Sequence, residues 1–192
     1  EKAQPDLVLS GFDIGANLAV TIAAAHMNIP VAHIQGGEVT GSIDESIRHA
    51  MSKFAHIHFP ATELSKQRLI RMGEESDNIY VVGCPSIDVL RDTPLVEIDA
   101  LEEYFQLDFN KPVLLMIQHP VTTEAEDSFL QIKATVDAIR ESGIQAVALL
   151  PNNDAGYSKI IDYIKQSGIK WYPSLPTNIF INLYRNVNAL IG

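Results

Sequence analysis

The sequence predicts an α/β protein of the doubly wound class, with parallel strands joined by crossover helices. Three observations predict it. Short apolar runs that read as buried strands alternate with amphipathic helical stretches along the whole chain. The amphipathic stretches carry helix start and stop signals. A single composition change, from Thr93 to Lys111, interrupts the alternation, which then starts again.

The elements follow in order. Leu7–Ser10 reads as a strand and Ile14–Asn28 as an Ala-rich helix. Val31–Ile34 is a strand. Ile43–Phe54 is a helix, with Ile43, Ile47, Ala50, Met51 and Phe54 at helical spacing. Ile57–Pro60 is a strand. Thr62 caps a helix that runs to Met72 and stops at Gly73. Ile79–Val82 is a strand and Ile87–Arg91 a short helix. The acidic stretch from Thr93 to Lys111 has no clear strand, so a domain boundary falls near residue 95, followed by a helix from Asp99 to Phe105. Beyond it, Val113–Gln118, Ala146–Leu150, Lys170–Tyr172 and Ala189–Ile191 are strands. They alternate with helices over Glu124–Ser142, Ser158–Ser167 and Asn178–Arg185. Two Rossmann-like halves result, joined by right-handed crossovers. The chain opens at Glu1 without Met and stops on a strand-like Ala189–Gly192, so a piece of a longer protein is expected.

Composition narrows the function. The 192 residues are 46% hydrophobic and 20% charged, which is ordinary globular material. The net charge of −10, from 14 Lys+Arg against 24 Asp+Glu, disfavours nucleic acid and anionic lipid as partners. It leaves room for a small anionic ligand held by a local cluster or a helix N-terminus. One cysteine, Cys84, rules out an internal disulfide and reads as a small residue near a strand end. There is no signal-peptide pattern and no apolar run of about 18 residues, so a soluble cytoplasmic protein is expected.

The densest chemistry lies between His33 and His58. A buried strand is followed by Gly36-Gly37, Glu38 and Gly41, then by a helix bearing Asp44, Glu45, Arg48 and His49. Ionisable groups placed directly after a parallel strand suit a ligand site at the sheet's carboxyl end. Each has a structural alternative. Ser42-x-x-Glu45 matches a capping box, with Ser42 accepting from the third helical N–H and Glu45 reaching back. Asp44 suits the positive end of the helix dipole, and Arg48 could be its i,i+4 partner. Gly36 and Gly37 permit either a close backbone approach to a ligand or a sharp turn. Asp13 follows the first strand, where it could cap the next helix or join an acid/base pair near Gln35. His119 ends the first strand of the second half, and would point into an inter-domain cleft if the halves face each other; a buried structural histidine is the alternative. Pro151 to Gly156 ends the next strand and could present amides to a ligand or simply turn. His56-x-His58 shares a strand face, giving either a two-histidine metal site or strand-end packing. There is no G-x-G-x-x-G after a strand, no P-loop, and no zinc spacing.

Taken together, PDLVLSGFD, NIPVAHIQGGEVTGSIDESIRHAMSKFAHIHFPATE, VVGCPSIDVL, QHPVTTE and LLPNNDAG resemble, in order and spacing, the hydrolysing nucleotide-sugar 2-epimerases, in the branch of sialic- and legionaminic-acid biosynthesis. The resemblance implies two Rossmann-like domains in a glycosyltransferase-B arrangement, both incomplete here. Residues 1–94 would be the C-terminal part of the first and 95–192 the N-terminal part of the second, nucleotide-binding one. It implies a nucleotide-sugar substrate, no cofactor, no metal, a homo-oligomer, and an inactive piece when this stretch is isolated. The implied reaction loses the nucleoside diphosphate from C1 and a proton from C2, then hydrates the resulting glycal. Carried over by motif, Asp13, Glu38, Asp44, Glu45 and His119 become candidate catalytic residues. His33, Gln35, Gly36, Gly37, Arg48, His49, Thr122, Asn152, Asn153 and Asp154 become candidate substrate-binding residues. A glycosyltransferase of the same architecture is the competing enzyme class, and a non-catalytic piece the third reading.

Two positions depart from the family pattern. Relatives commonly carry Glu where this chain has Gln35, and an amide cannot take up a proton. Either Glu38 fills that role, or the substrate differs, or activity is reduced. Many relatives also read Asp-Arg where this chain reads Asp13-Ile14, which removes one cationic contact and leaves the nucleotide and sugar preference open.

Overall fold

A computed structural model describes residues 4–11 and 15–192, which divide into two compact units, 1–91 and 92–192. Asp13 and the first residue of the helix read from Ile14 lie outside the described residues.

The first unit holds a three-stranded parallel sheet, β1 (Val8–Gly11), β2 (Val31–Ile34) and β3 (Ile57–Phe59), in the order β1-β2-β3. Between them run α1 (Gly15–His26) and α2 (Ile43–Phe54), and α3 (Glu63–Arg71) follows β3. Thr62 caps α3 as its sequence predicts, its side chain accepting from Ser65 N–H at 3.1 Å, and Gly73 leaves the helix at φ +91°. The unit closes with α4 (Pro85–Asp92).

The stretch 79–82 is not a strand of this sheet. It makes one parallel bridge, Ile79 to His58, with Tyr80 N–H donating to His58 O and Val82 N–H to Pro60 O. The alternation of a parallel ladder asks residue 60 to donate to Tyr80 O in between, and Pro60 has no N–H to give. A single 3₁₀ turn, Ser76–Asn78, leads into this stretch.

Helix α2 buries a different face from the one its apolar spacing predicts. Met51 is buried, but so are Arg48 and Ser52, while Ile43 and Phe54 are exposed. The buried stripe therefore carries a guanidinium and a hydroxyl toward β2. The register aligns Ser10, His33 and His58 across the three strands, so these buried polar side chains share one face of the sheet. Each has a partner there. Thr21 donates to Ser10 Oγ at 2.8 Å, Ser52 Oγ meets His33 Nδ1 at 3.0 Å, and His58 Nε2 lies 3.2 Å from Glu74.

The second unit begins with α5 (Ile98–Phe105) and builds a four-stranded parallel sheet in the order β6-β5-β4-β7. Its strands are β4 (Val113–Ile117), β5 (Gln145–Leu149), β6 (Lys170–Tyr172) and β7 (Ala189–Ile191). The run VLLMI is continuous because β4 is covered on both faces. Leu114 and Met116 pack with Ile132, Val136 and Ile139 of α6 (Ser128–Ser142) and Ile160 and Ile164 of α7 (Tyr157–Gln166). Leu115 packs with Leu101 and Phe105 of α5 and with Leu183 of α8 (Thr177–Asn186). The helix read from Glu124 starts only at Ser128. Thr122–Asp127 is a 3₁₀ turn in which Glu124 leaves helical backbone at φ −126°. That polar run has no large apolar side chain to bury, so nothing holds it to the sheet as a helix. Among the described residues no helix is long and apolar enough to cross a membrane.

His58 gives this fold a pH dependence. Burial pushes its pKa below the ordinary 6.5, while Glu74 pulls it partly back. An unfolded His58 takes up a proton as pH falls through about 6.5, when the folded one still resists it, so the unfolded state binds more protons and stability falls. Denaturation between about pH 7.5 and 5.5 should show a steeper loss of stability for the wild type than for His58→Gln. Parallel curves would remove His58 as the source.

Candidate active site

The carboxyl end of β2 opens into a cavity of about 390 Å³ within the first unit, lined by His33, Ile34, Gln35, Glu38, Thr40, Arg48, Ala61 and Cys84. The backbone turns there in an uncommon way. Gln35 adopts φ +60°, its N–H donating to Phe59 O at 2.9 Å, and Gly37 follows at φ +82°. Both glycines face the protein interior. A Cβ on Gly36 would stand 2.9 Å from Ser52 Oγ and 3.0 Å from His33 Nδ1, and one on Gly37 would stand 2.4 Å from Ser65 O. The close approach these glycines allow is to the helices α2 and α3.

Side chains satisfy the polar backbone of this loop. Arg48 Nη1 donates to Glu38 O at 2.9 Å and Arg68 Nη1 to Gly37 O at 3.2 Å. Glu45 Oε2 accepts from Thr40 N–H at 2.9 Å and Gly41 N–H at 3.0 Å. The capping box read from Ser42-x-x-Glu45 is therefore not formed. Ser42 makes no cap bond and donates to Asp44 Oδ2 at 2.9 Å, while Glu45 reaches past it to the preceding loop. Those two amides, Gly41 first and Thr40 second, hold the Glu45 carboxyl below its ordinary 4.5. His49 Nε2 lies 3.8 Å from Glu45 Oε1, and its Nδ1 is buried without a hydrogen-bond partner among the described residues.

Glu38 carries the carboxylate of the cavity lining. Its Oε1 accepts from Ser65 Oγ at 2.7 Å, and its Oε2 makes no hydrogen bond among the described residues. His33 is buried against Ser52. Because Ser52 Oγ donates to Arg48 O at 3.1 Å, it is left to accept from His33 Nδ1–H. Gln35 Nε2 donates to Cys84 Sγ at 3.0 Å. Asp44 lies exposed in the first turn of α2 and does not line the cavity. His56 accepts from Val31 N–H at 3.2 Å, and His58 is paired with Glu74, so each commits a ring nitrogen to the fold. The sequence reading missed Cys84, Thr40, Ser52 and Ser65 as parts of this site. Only Ser65 had a local signal, its place in the first turn behind the Thr62 cap.

The second unit brings three of its predicted residues together where β4 and β5 end. His119 Nδ1 lies 3.1 Å from Asn152 Oδ1 and 3.3 Å from Asn152 N, and Asn152 Nδ2 donates to Asp154 Oδ2 at 2.7 Å. A protonated Nδ1 donates to the side-chain oxygen, and a bare Nδ1 accepts from the backbone. His119 is exposed, unlike a core histidine. Thr122 opens the 3₁₀ turn after β4, and Asn153 is exposed in the loop after β5. Gln118, beside His119, buries an Oε1 that lacks a partner among the described residues.

Open parallel α/β units bind their ligands beyond the carboxyl ends of the strands, where both polar clusters lie. A family model described as UDP-N-acetylglucosamine 2-epimerase matches residues 1–192, and the chain belongs to that family. It is 38% identical over 196 aligned positions to a UDP-N,N'-diacetylbacillosamine 2-epimerase (hydrolyzing) of Legionella pneumophila, covering 100% of this chain and 52% of that protein. It is 33% identical to a UDP-N-acetylglucosamine 2-epimerase of Neisseria meningitidis, again covering 100% of this chain and 52% of the relative. The chain thus spans about half the length of the curated relatives it matches. Among solved structures, the UDP-GlcNAc 2-epimerase of Neisseria meningitidis bound to UDP-GlcNAc superposes with TM-score 0.82 at 24% identity, covering 97% of this chain and 54% of that one. That likeness establishes the fold, α/β with Rossmann-like parallel sheets of the glycosyltransferase-B-like kind.

Gly37 offers a direct test of the loop. Alanine there must take left-handed backbone, which costs about 1–2 kcal/mol, and must displace Ser65 O. Gly37→Ala should lower the denaturation midpoint. An unchanged midpoint would show that the loop yields freely.

Proposed function

We propose that the protein of which this chain is part is a hydrolysing 2-epimerase of a UDP- or GDP-linked N-acetylated hexosamine. The observation that carries the reading is the cavity after β2, lined by Glu38 together with Arg48 and His33, where one oxygen of Glu38 is held by Ser65 and the other makes no hydrogen bond among the described residues. A carboxylate so held suits proton transfer, and the family membership supplies the substrate class.

In the proposed reaction a base removes the proton from C2, and the C1–O bond breaks with its electron pair leaving on the nucleoside diphosphate. Water then adds to the glycal, its oxygen to C1 and a proton to C2 from the opposite face, which releases the free 2-epimer. Glu38 and Asp44, with Asp13, are assigned to the proton transfers. Glu38 stands in for the acid that relatives carry at the Gln35 position. The buried guanidinium of Arg48 and the imidazole of His33 are assigned to the sugar's polar groups. His119, Thr122, Asn152, Asn153 and Asp154 are assigned to the nucleotide, His119 near the leaving diphosphate. Glu45, whose Oε2 already accepts two amides, is assigned to holding the loop and His49 to supporting it. The same accounting gives Gly36 and Gly37 to the loop's packing and Gln35 to the cavity wall.

Incubation of the full-length protein with UDP-N-acetylglucosamine, and with a GDP-linked diacetamido sugar, followed by NMR, should show a free 2-epimer and the nucleoside diphosphate from one of them. Both substrates untouched, or sugar transferred intact to an acceptor, would overturn the reading. Glu38→Gln and Asp44→Asn should each lower turnover by about 10²-fold or more. A near-normal rate in either variant removes that residue from the chemistry.

A further inference from the structure

Ser65 is fully buried in the first turn of α3 and is not part of the cavity wall. Its backbone N–H already provides the cap bond to Thr62 Oγ1. Its hydroxyl adds no bond to the helix backbone. Instead it lies 2.8 Å from Thr62 Oγ1 and donates to Glu38 Oε1 at 2.7 Å. A hydroxyl has one proton, so Ser65 must accept from Thr62 in order to give its own to Glu38. The Thr62 oxygen is in turn oriented by the amide it accepts. Each proton in this chain has one place to go, and the last bond in it ends on the carboxylate.

We propose that Ser65 is a positioning residue for Glu38, holding Oε1 through a hydroxyl relay from Thr62 so that Oε2 is the oxygen presented for reaction. The steric conditions for this are built into the loop. Glu38 reaches Ser65 because Gly37 brings the backbone against α3, where any side chain would overlap Ser65 O. The carboxylate of a flexible side chain is thereby fixed at one oxygen, and the entropy of orienting it is lost on folding and not in the transition state. The proposal rests on Glu38 acting in proton transfer, as in the preceding subsection.

The test uses the full-length enzyme and UDP release from UDP-N-acetylglucosamine or the accepted diacetamido analogue. Ser65→Ala should lower kcat about 10-fold while KM stays within about 2-fold, since the lost contact acts on the reacting group. Ser65→Thr, which keeps the hydroxyl, should recover most of that loss. In a Glu38→Gln background Ser65→Ala should add little, because its effect passes through the carboxylate. If Ser65→Ala lowers the melting temperature sharply, Ser65→Cys keeps the volume with a weaker donor and should give an intermediate loss in kcat. An equal loss from Ser65→Ala with and without Glu38, or a change confined to KM, overturns the positioning role while leaving Glu38 in place. Full turnover in Glu38→Gln alone overturns the assignment of Glu38 and with it the proposal.

Discussion

The site in the first unit depends on one close approach, that of Gly37 to the backbone of Ser65 in the first turn of α3. It brings the loop after β2 against α3, and the other contacts follow from it. With the loop there, Arg68 reaches Gly37 O, Arg48 reaches Glu38 O, and Ser65 reaches the Glu38 carboxylate. The loop has no regular secondary structure to pair its amides and carbonyls, so side chains of two helices do so. These bonds set the loop's geometry before a ligand arrives, which is what a site needs.

The same arrangement divides work among carboxylates that look alike in the chain. Glu38 and Glu45 lie seven residues apart, both near glycines and both before or within one helix. Glu45 is consumed by two backbone amides, which also favour its charged form. Glu38 accepts from a hydroxyl at one oxygen, and its other oxygen makes no hydrogen bond among the described residues. Asp44, between them, is exposed and bonded to Ser42. A group whose lone pairs already serve the backbone is poorly placed to exchange protons, and one with an uncommitted oxygen in a cavity is well placed. Two further polar pairs, Thr21 on Ser10 and Ser52 on His33, satisfy two members of the polar row across the sheet, while the third, His58, has a buried Nδ1 with no partner among the described residues.

Most of the architecture was legible in the chain, since short apolar strands alternating with amphipathic helices leave strong local patterns. Val31–Ile34, Ile43–Phe54, Lys170–Tyr172 and Ala189–Ile191 have the bounds the pattern predicts. What was not legible required knowledge of a neighbour. The stretch 79–82 reads as a strand by itself, and fails as one because Pro60 on the facing strand has no proton to give. The polar run at 122–127 reads as the start of a helix, and departs from it at Glu124. Within the site, the sequence indicated the loop and its ionisable residues but not their partners. The bond from Ser65 to Glu38 spans 27 positions and that from Gln35 to Cys84 spans 49, so neither leaves a local trace. The capping box was a sound local inference that lost to a longer reach, because Thr40 and Gly41 present two amides where Ser42 would have offered one.

Gln35 stands where the family resemblance implies an acid, and its surroundings bear on that departure. Its amide nitrogen donates to the Cys84 sulfur, at a backbone φ of +60° that already constrains where the side chain leaves the chain. A carboxylate in the same place has no donor to offer, so the thiol would have to supply the proton, and a thiol is a weak donor. The amide and the thiol therefore form a matched pair, one giving and one accepting, on the wall that Glu38 also lines. A carboxylate at 35 would also share that wall with Glu38, and two such groups on one small cavity disfavour each other's charged form. Replacing one by an amide removes that repulsion and leaves Glu38 as the single carboxylate of the described lining.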